Sequence, residues 1–240
     1  MNHPRLRCIL AISASALLNL LLITLLYKEE KSGHWIQKHI HSQVQSDPTE
    51  RPDYWCIMGW NNTIKKLNID CDICFFGHSQ IAMSDFQQDF PNRKIVTLGY
   101  PGDNVDGMLL RVDPIKYIHP EKVFIMCGVN SLGMPDTAFQ RKYQLLVDSI
   151  HHAVPEATLY LFNILPERDG TLGEARLNPL IRQRNNYIAQ YASKKGIICI
   201  DLHTPFCDAD GTLKEEYSID GLHINPSGYR LWEQTIRQYI

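Results

Sequence analysis

The sequence lacks an excess of charge of either sign, an internal repeat and a low-complexity tract. Its 24 basic and 26 acidic side chains leave a formal net charge of −2, so no global field favours nucleic acid or an anionic surface as a partner. Seven cysteines in 240 residues are too few for a disulfide-dense scaffold. What is present, 44% hydrophobic and 21% charged residues, suffices for one well-buried globular domain with an appendage.

The cysteines include one C-x-x-C, formed by Cys71 and Cys74, which leads into an apolar run. A redox or zinc role needs a helix start or a second pair of cysteines, and the sequence has neither. We expect structural cysteines here, or a disulfide whose pairing the sequence does not reveal. His34, His39 and His41 lie in a polar segment, where we expect them to be solvated and not metal ligands.

An uncharged, Leu-rich run occupies residues 8–27, between Arg7 and Lys28. At about 1.5 Å per residue, a helix of this length spans roughly the 30 Å of a bilayer core. The apolar region of a signal peptide is shorter and precedes a small-x-small cleavage site, whereas this run ends at a bulky tyrosine. We expect an uncleaved transmembrane anchor, with a cleaved signal peptide as the alternative.

The charges on the two sides of this run predict its orientation. Arg5 and Arg7 precede it, whereas the charges in residues 28–31 nearly cancel. The positive-inside rule then predicts a cytoplasmic tail over residues 1–7 and an extracytoplasmic remainder, which is periplasmic if the source is a Gram-negative bacterium. Residues 28–52 are polar and contain one glycine and two prolines, which predicts a stalk.

From residue 53 to residue 240, short apolar runs alternate with longer amphipathic stretches. The apolar runs, typical of strands buried on both faces, are Ile73–Phe76, Ile95–Leu98, Val123–Met126, Leu159–Phe162 and Ile197–Ile200. The helical stretches are 79–88, 104–118, 137–153, 177–195 and Pro226 to the end, with a break expected at Pro114. This alternation predicts an α/β fold, a three-layer α/β/α sandwich around a parallel sheet of five strands.

The residues that follow the strands are the candidates for chemistry, because ligands of open parallel sheets bind beyond the carboxyl ends of the strands. Ser79 follows the first run, and Asp220 and His223 lie in the loop before the last helix. A serine hydroxyl is a weak nucleophile until a neighbouring base takes its proton. His223 can be that base if Asp220 fixes its tautomer. We therefore predict Ser79 as nucleophile and the other two as its catalytic partners.

Negative charge that develops on a substrate oxygen requires preformed hydrogen-bond donors. The backbone N–H groups of Ser79 and Gly102 and the side-chain amide of Asn130 follow the first three runs and can supply an oxyanion hole. Asn225 is expected to cap the last helix, with the following proline at its first position. That cap would hold His223 in the loop just before the helix.

Four short blocks, in this order along the chain, resemble the SGNH (GDSL-like) hydrolases. Phe76–Ile81 resembles the G-D-S block, the turn ending in Gly102-Asp103 the second block, Gly128-Val129-Asn130 the G-x-N block, and Asp220–His223 the D-x-x-H block. The resemblance spans nearly all of the chain after the predicted stalk. It implies a flavodoxin-like sheet of five parallel strands, a Ser-His-Asp triad, hydrolysis of esters, and neither a metal nor a cofactor.

Two positions depart from the family pattern. His78 stands where the family usually has an acid before the nucleophile, and Ser131 stands where an acid often follows the asparagine. Neither is a triad or oxyanion position, so we expect altered loop hydrogen bonding and substrate preference. The motif around Ser79 also lacks the second glycine of the G-x-S-x-G elbow, which argues against an α/β-hydrolase.

The candidate residues also have purely structural interpretations. Ser79 can cap the helix that follows it, and Asn130 can satisfy its own backbone in a turn. A different histidine, His203, is an alternative candidate for the base. The leading function is hydrolysis of a small acyl ester, such as an O-acetyl group on an extracytoplasmic glycan, by analogy with the superfamily. The alternatives are acyl transfer by the same residues and a non-catalytic glycan-binding or scaffold domain with a degenerate site. The sequence gives no oligomeric state.

Overall fold

The computed structural model describes residues 54–172 and 177–240. The predicted cytoplasmic tail, transmembrane anchor and stalk, residues 1–7, 8–27 and 28–52, lie outside the described residues, so these three assignments stay predictions. Within the two described ranges, none of the helices is both long enough and apolar enough to span a bilayer.

Five short strands form one sheet within the described residues. They are β1 (Ile73–Gly77), β2 (Ile95–Gly99), β3 (Lys122–Ile125), β4 (Thr158–Phe162) and β5 (Ile198–Ile200). Every neighbouring pair is parallel, in the order β2-β1-β3-β4-β5. The predicted parallel sheet is confirmed, and each predicted run matches a strand to within one residue at either end. Consecutive apolar side chains are all buried only when both faces of a strand are covered, which is why these runs predict the strands so well.

The helices lie between the strands and at both ends of the described chain. They are α1 (Tyr54–Leu67), α2 (Ser79–Ala82), α3 (Phe86–Asp89), α4 (Val105–Leu110), α5 (Asp136–Ala153), α6 (Asn178–Lys195), α7 (His203–Phe206) and α8 (Pro226–Ile236). Short 3-10 turns cover Asp113–Tyr117, Val129–Ser131, Glu215–Tyr217 and Arg237–Tyr239. The predicted helices over 137–153 and 177–195 are confirmed as α5 and α6, and the terminal helix is confirmed as α8.

The predicted helices over 79–88 and 104–118 are each interrupted. After α2, the Ser84 hydroxyl donates to the carbonyl of Ile81 at 2.7 Å, a local bond that competes with continued helix. The second stretch leaves the α-helix after Leu110 and resumes as a 3-10 turn that contains Pro114, in agreement with the expected break. The prediction of a single helix over 79–88 was therefore wrong.

Alternation along β1 shows how the layers are arranged. Cys74 and Phe76 belong to one apolar cluster, whereas Ile73 and Phe75 belong to the other, as expected when successive side chains point to opposite faces. The first cluster includes side chains of α4, α5 and α6, and the second includes side chains of α2, α3 and α8. Helices therefore cover both faces of the sheet, in the predicted three-layer arrangement.

The terminal helix α8 closes the second face with a tryptophan. Trp232 is fully buried and meets the rings of Phe86 and Phe162 edge-on, at centroid distances of 5.5 and 5.3 Å. Burial of a large apolar side chain contributes about 1.5–3 kcal/mol, so this contact fixes α8 against the sheet. The loop that ends at α8 is the one that carries Asp220 and His223, so the packing also fixes their position.

Two glycines let the helix after β1 lie directly on the sheet edge. Gly77 and Gly99 pair at the ends of β1 and β2, so the two strands end at the same level. A Cβ on Gly99 would lie 2.1 Å from the backbone nitrogen of Ala82 in α2. The missing side chain therefore allows α2, with Ser79 as its first residue, to sit across the carboxyl ends of both strands.

Candidate active site

The structure brings Ser79, His223 and Asp220 into one hydrogen-bonded series. Ser79 Oγ lies 3.1 Å from His223 Nε2, and His223 Nδ1 lies 2.7 Å from Asp220 Oδ2. Ser79 and His223 are 144 residues apart in the chain, and they meet because α2 and the loop before α8 lie over the same edge of the sheet. The three residues predicted to act together are thus found together.

The hydrogen bonds assign the ring tautomer of His223. An ionised carboxylate only accepts hydrogen bonds, so the proton between Asp220 and His223 lies on ring Nδ1. In the neutral ring, Nε2 is then unprotonated and accepts the hydroxyl proton of Ser79. This is the protonation state that a base needs to take a proton from a serine.

Asp220 is held in its ionised form by its neighbours. Its Oδ1 accepts the backbone N–H groups of Leu222 and His223, at 2.9 and 2.7 Å. Partial burial by itself would raise the pKa of Asp220, but the hydrogen bonds from the His223 ring and these two N–H groups outweigh it and hold the pKa well below its usual value. The carboxylate therefore stays charged at neutral pH and orients the imidazole.

The loop that carries the pair is tied down at both of its ends. The Ser218 hydroxyl donates to the carbonyl of His223 at 2.7 Å and accepts the N–H of Gly221 at 2.8 Å. Asn225 caps α8, because its side-chain oxygen accepts the N–H groups of Ser227 and Gly228, as predicted. Ser218 was not anticipated; its position two residues before the aspartate is the only sequence signal for it.

A second pair of hydrogen bonds links α2 to the same loop and helix. Gln80, which is buried, donates from Nε2 to the carbonyl of Leu222 at 3.0 Å, and the Tyr229 hydroxyl donates to the carbonyl of Gln80 at 2.7 Å. These bonds connect the residue after the serine to the residue before the histidine. Ser79 does not act as the helix cap, since His78 occupies the N-cap position of α2.

The predicted oxyanion donors lie on the loops beside Ser79. Ser79 is the first residue of α2, so its N–H has no partner inside that helix. Gly102 is the third residue of a turn closed by the N–H of Asp103 and the carbonyl of Tyr100 at 3.2 Å, and its φ of +73° is the conformation that this turn position requires. Asn130 donates from Nδ2 to the carbonyl of Asp103 at 2.9 Å. An amide nitrogen carries two N–H donors, so this bond uses one of them.

A buried ion pair underlies these donors and was not anticipated from the sequence. Arg111 and Asp103 are 4% and 1% exposed, and Arg111 Nε donates to Asp103 Oδ2 at 2.7 Å. The guanidinium also donates to the backbone carbonyls of Gly77 and Leu98, at 2.8 and 2.9 Å. The one sequence signal for this ion pair is that a lone arginine, Arg111, directly follows the apolar stretch Met108–Leu110.

The two positions that depart from the family pattern are both buried. Burial, together with the nearby charges of His223 and Arg111, lowers the pKa of His78 to about 3, so this ring is neutral beside the site. The hydroxyl of Ser131 accepts the N–H of Val105 at 3.0 Å, the first N–H of α4, which lacks a helical partner. The Ser131 hydroxyl therefore stabilises the start of α4, and neither residue enters the series of Ser79, His223 and Asp220.

The other candidates considered from the sequence have structural roles. His203 is buried, and its Nδ1 lies 3.0 Å from the carbonyl of Ile164, whereas His223 has the bond to Ser79. Cys71 and Cys74 are free and buried; burial first, then the carboxylates of Asp72 and Asp70, raises the pKa of Cys71 to about 12, which disfavours a thiolate. Among residues 54–172 and 177–240, no group of histidine, cysteine or acidic side chains is arranged to hold a metal ion.

A hydroxyl, an imidazole and a carboxylate in series at the carboxyl edge of a parallel sheet define an α/β protein with the functional groups of a serine hydrolase. Residues 72–231 match the family model of the GDSL-like lipase/acylhydrolase family. The chain belongs to this family and is a hydrolase of ester bonds. The resemblance noted from its four sequence blocks is confirmed. A comparison with curated proteins gives no match.

Solved structures share the fold at low sequence identity. A GDSL-like lipase from Bacteroides thetaiotaomicron superposes with a TM-score of 0.65 at 17% identity, over 76% of this chain and 96% of that one. A lipase/acylhydrolase from Enterococcus faecalis gives 0.60 at 21% identity, over 72% and 95%. An acetyl xylan esterase gives 0.60 at 17% identity, over 72% and 100%. At these identities the likeness shows the shared fold alone.

Proposed function

We propose that this protein is a serine esterase in which Ser79 is the nucleophile, His223 the general base and acid, and Asp220 the residue that orients the imidazole. The observation that carries the proposal is the contact of 3.1 Å between Ser79 Oγ and His223 Nε2, with Asp220 on the other ring nitrogen at 2.7 Å. A serine and a loop histidine with purely structural roles have no reason to lie in this geometry.

The reaction follows from these contacts. His223 Nε2 takes the hydroxyl proton as Ser79 Oγ bonds to the ester carbonyl carbon, and the carbonyl oxygen takes up the negative charge. The donors of Ser79, Gly102 and Asn130 stabilise that oxyanion. The C–O bond to the alcohol then breaks, and the alcohol leaves with the proton from His223. Water, deprotonated by the same ring, attacks the acyl-serine; the bond to Ser79 Oγ breaks, His223 returns the proton to this oxygen, and the acid is released.

We propose a small acyl ester, such as an O-acetyl group on a glycan, as the substrate. The side chains of His223 and Asp220 are 33% and 53% exposed, so the proposed centre opens to solvent and can receive an ester carried on a bulky polar chain. The acetyl xylan esterase that shares the fold supports this choice by analogy. An open centre also admits a sugar hydroxyl in place of water, which is acyl transfer by the same residues.

We further propose that residues 8–27 anchor the protein in a membrane and leave the hydrolase domain, from residue 53 onward, on the extracytoplasmic side. The proposal is supported by the length of the uncharged run and by Arg5 and Arg7 before it. An anchored esterase with an open centre fits a substrate that is polymeric and outside the cytoplasm.

The test is hydrolysis of p-nitrophenyl acetate by the full chain in detergent, compared with Ser79→Ala. We expect loss of all but the background rate in the variant, with an unchanged circular dichroism spectrum. Ser84→Ala is the matched control, because Ser84 lies on the next turn and bonds only locally to Ile81. Equal rates for the parent protein and Ser79→Ala would refute the assignment. Product analysis with a xylo-oligosaccharide acceptor then separates hydrolysis from transfer.

A further inference from the structure

We infer that Arg111 is a positioning residue that holds the three proposed oxyanion donors in one geometry. The inference rests on the proposed function, since it concerns how that site is built. Arg111 ends α4, on the side of the sheet edge where the loops after β1, β2 and β3 converge, and it is almost completely buried. Its guanidinium contacts the loop of each donor, directly or through one further residue.

The first contact fixes the turn that presents the Ser79 N–H. Arg111 Nη2 donates to the carbonyl of Gly77 at 2.8 Å. Gly77 ends β1, two residues before Ser79, and its carbonyl also accepts the N–H of Tyr100 at 3.1 Å. One oxygen therefore joins the guanidinium, the nucleophile turn and the loop that carries Gly102.

The second and third donors are fixed through Asp103. The carboxylate of this residue, which follows Gly102, receives Arg111 Nε at 2.7 Å and Nη2 at 2.6 Å. The backbone carbonyl of the same residue accepts the side-chain amide of Asn130 at 2.9 Å. A displacement of Asp103 therefore moves both the Gly102 N–H and the Asn130 amide.

Only a guanidinium can make this set of contacts. Arg111 uses separate N–H groups for Asp103, Gly77 and Leu98, and its planar group lies over the ring of Phe76, 4.8 Å from the centroid. Lysine has a single nitrogen at the end of a flexible stem and cannot span these acceptors in a fixed plane. Donors that are fixed before the reaction stabilise the transition state more than donors that must reorganise during it. Loss of the forked guanidinium should therefore slow the chemical step.

The test is Arg111→Lys in the full chain, which keeps the buried charge and removes the fork. We expect kcat for p-nitrophenyl acetate to fall roughly tenfold or more, because removal of a whole oxyanion donor costs about 10²–10³-fold. KM should change little, since the donors act on the transition state. The shape of the pH profile of kcat/KM should be unchanged, because the Ser79–His223–Asp220 series is not touched. A changed profile would mean that Arg111 acts through the triad, against the inference.

A double-mutant cycle with Asn130→Ala separates positioning from general destabilisation. If Arg111 acts through this donor, the two substitutions are non-additive in kcat, and Arg111→Lys costs much less when Asn130 is already absent. The control is Asn185→Ala, which removes two buried bonds to the backbone of Ile164 without touching the donors. It should lower the melting temperature, keep kcat within about twofold and combine additively with Asn130→Ala.

If Arg111→Lys does not fold, Asp103→Asn replaces it, since this change leaves the three donor groups of Arg111 and its two carbonyl acceptors in place and weakens its link to Asp103. The same fall in kcat and the same coupling to Asn130 are expected. An unchanged kcat in a folded variant, or full additivity, overturns the inference while the esterase assignment stands. Absence of Ser79-dependent turnover in the parent protein overturns the proposed function, and this inference with it.

Discussion

Asp220 differs from an ordinary surface carboxylate because both of its oxygens accept hydrogen bonds from fixed N–H groups. Oδ1 takes two backbone N–H groups, and Oδ2 takes the ring N–H of His223. The first set fixes the direction of the carboxylate, and the second transmits that direction to the imidazole. Substitution by the isosteric amide keeps the shape of the loop and removes only the obligatory acceptor.

We expect Asp220→Asn to lower kcat by about 10³–10⁴-fold, because an amide N–H at this position favours the tautomer with Nε2 protonated, which cannot accept the serine proton. The measurement is p-nitrophenyl acetate hydrolysis under saturating substrate. Asp208→Asn is the matched control: Asp208 also accepts two backbone N–H groups in an exposed loop, from Asp210 and Thr212, but contacts no imidazole. A loss of less than tenfold in Asp220→Asn would contradict the assigned role.

His78 makes folding stability depend on pH. In the folded protein, burial and the charges of His223 and Arg111 lower its pKa to about 3, whereas an unfolded histidine titrates near its ordinary value of 6.5. Between these values the unfolded state binds more protons, so the free energy of unfolding is highest above pH 6.5 and falls as the pH falls towards 3.

We expect His78→Leu to lose less stability than the parent protein on acidification from pH 7 to pH 5. The two proteins should differ by about 2 kcal/mol in the free energy of unfolding that they lose. This follows from about 1.36 kcal/mol for each pH unit between 6.5 and 5. Urea denaturation of both proteins at each pH measures this difference. Parallel curves for His78→Leu and the parent would contradict the burial argument.

At the scale of elements, a helix of only four residues carries the nucleophile, so its place depends on its neighbours. Below it, Gly99 permits a backbone contact that any Cβ would prevent. Beside it, Gln80 and Tyr229 connect it to the histidine loop and to α8. Isolated helices of this length have no stability of their own, so the alignment of Ser79 comes from tertiary contacts.

We therefore expect Gly99→Ala to destabilise the protein by about 2–3 kcal/mol and to reduce kcat as well, because the new methyl group must push α2 off the sheet edge. Gly59→Ala is the opposite control. Gly59 lies within α1, and a Cβ there meets no atom within 4 Å, so the change should stabilise by about 0.5–1 kcal/mol. Thermal unfolding and kcat are measured for both. An unaltered kcat in Gly99→Ala would show that α2 does not depend on this contact.

The elements show which local patterns suffice for prediction. The strands follow from continuous apolar runs, and α5 and α6 follow from long amphipathic stretches. α1 was not predicted, because its buried side includes the polar Asn61 beside Ile57 and Ile64, whereas the apolar Trp55 and Trp60 are exposed. That pattern gives no clear apolar face. The break after α2 was also missed, because a single serine is a weak sequence signal for the local bond that the Ser84 hydroxyl makes to the carbonyl of Ile81 there.

At the scale of the whole molecule, the candidate site was predictable where a family pattern or a strand end indicates it. Ser79, Asp220, His223, Gly102 and Asn130 all lie at such positions. Arg111 and Gln80 were missed, because their partners are distant in sequence: 34 residues separate Arg111 from Gly77, and 142 separate Gln80 from Leu222. Residues that fix the geometry of a site in this way become visible only once the loops are brought together.

The location of the whole molecule is the last property that the sequence predicts and the described residues do not test. Two charges near the middle of the proposed anchor, Leu17→Arg with Leu18→Arg, should cost about 2.5–3.5 kcal/mol each on insertion. We expect the parent protein in the membrane fraction after an alkaline carbonate wash, and this variant in the soluble or aggregated fraction. Leu17→Ile with Leu18→Ile keeps the apolar run and should behave as the parent. A soluble parent of reduced mass would instead mean that residues 8–27 belong to a cleaved signal peptide.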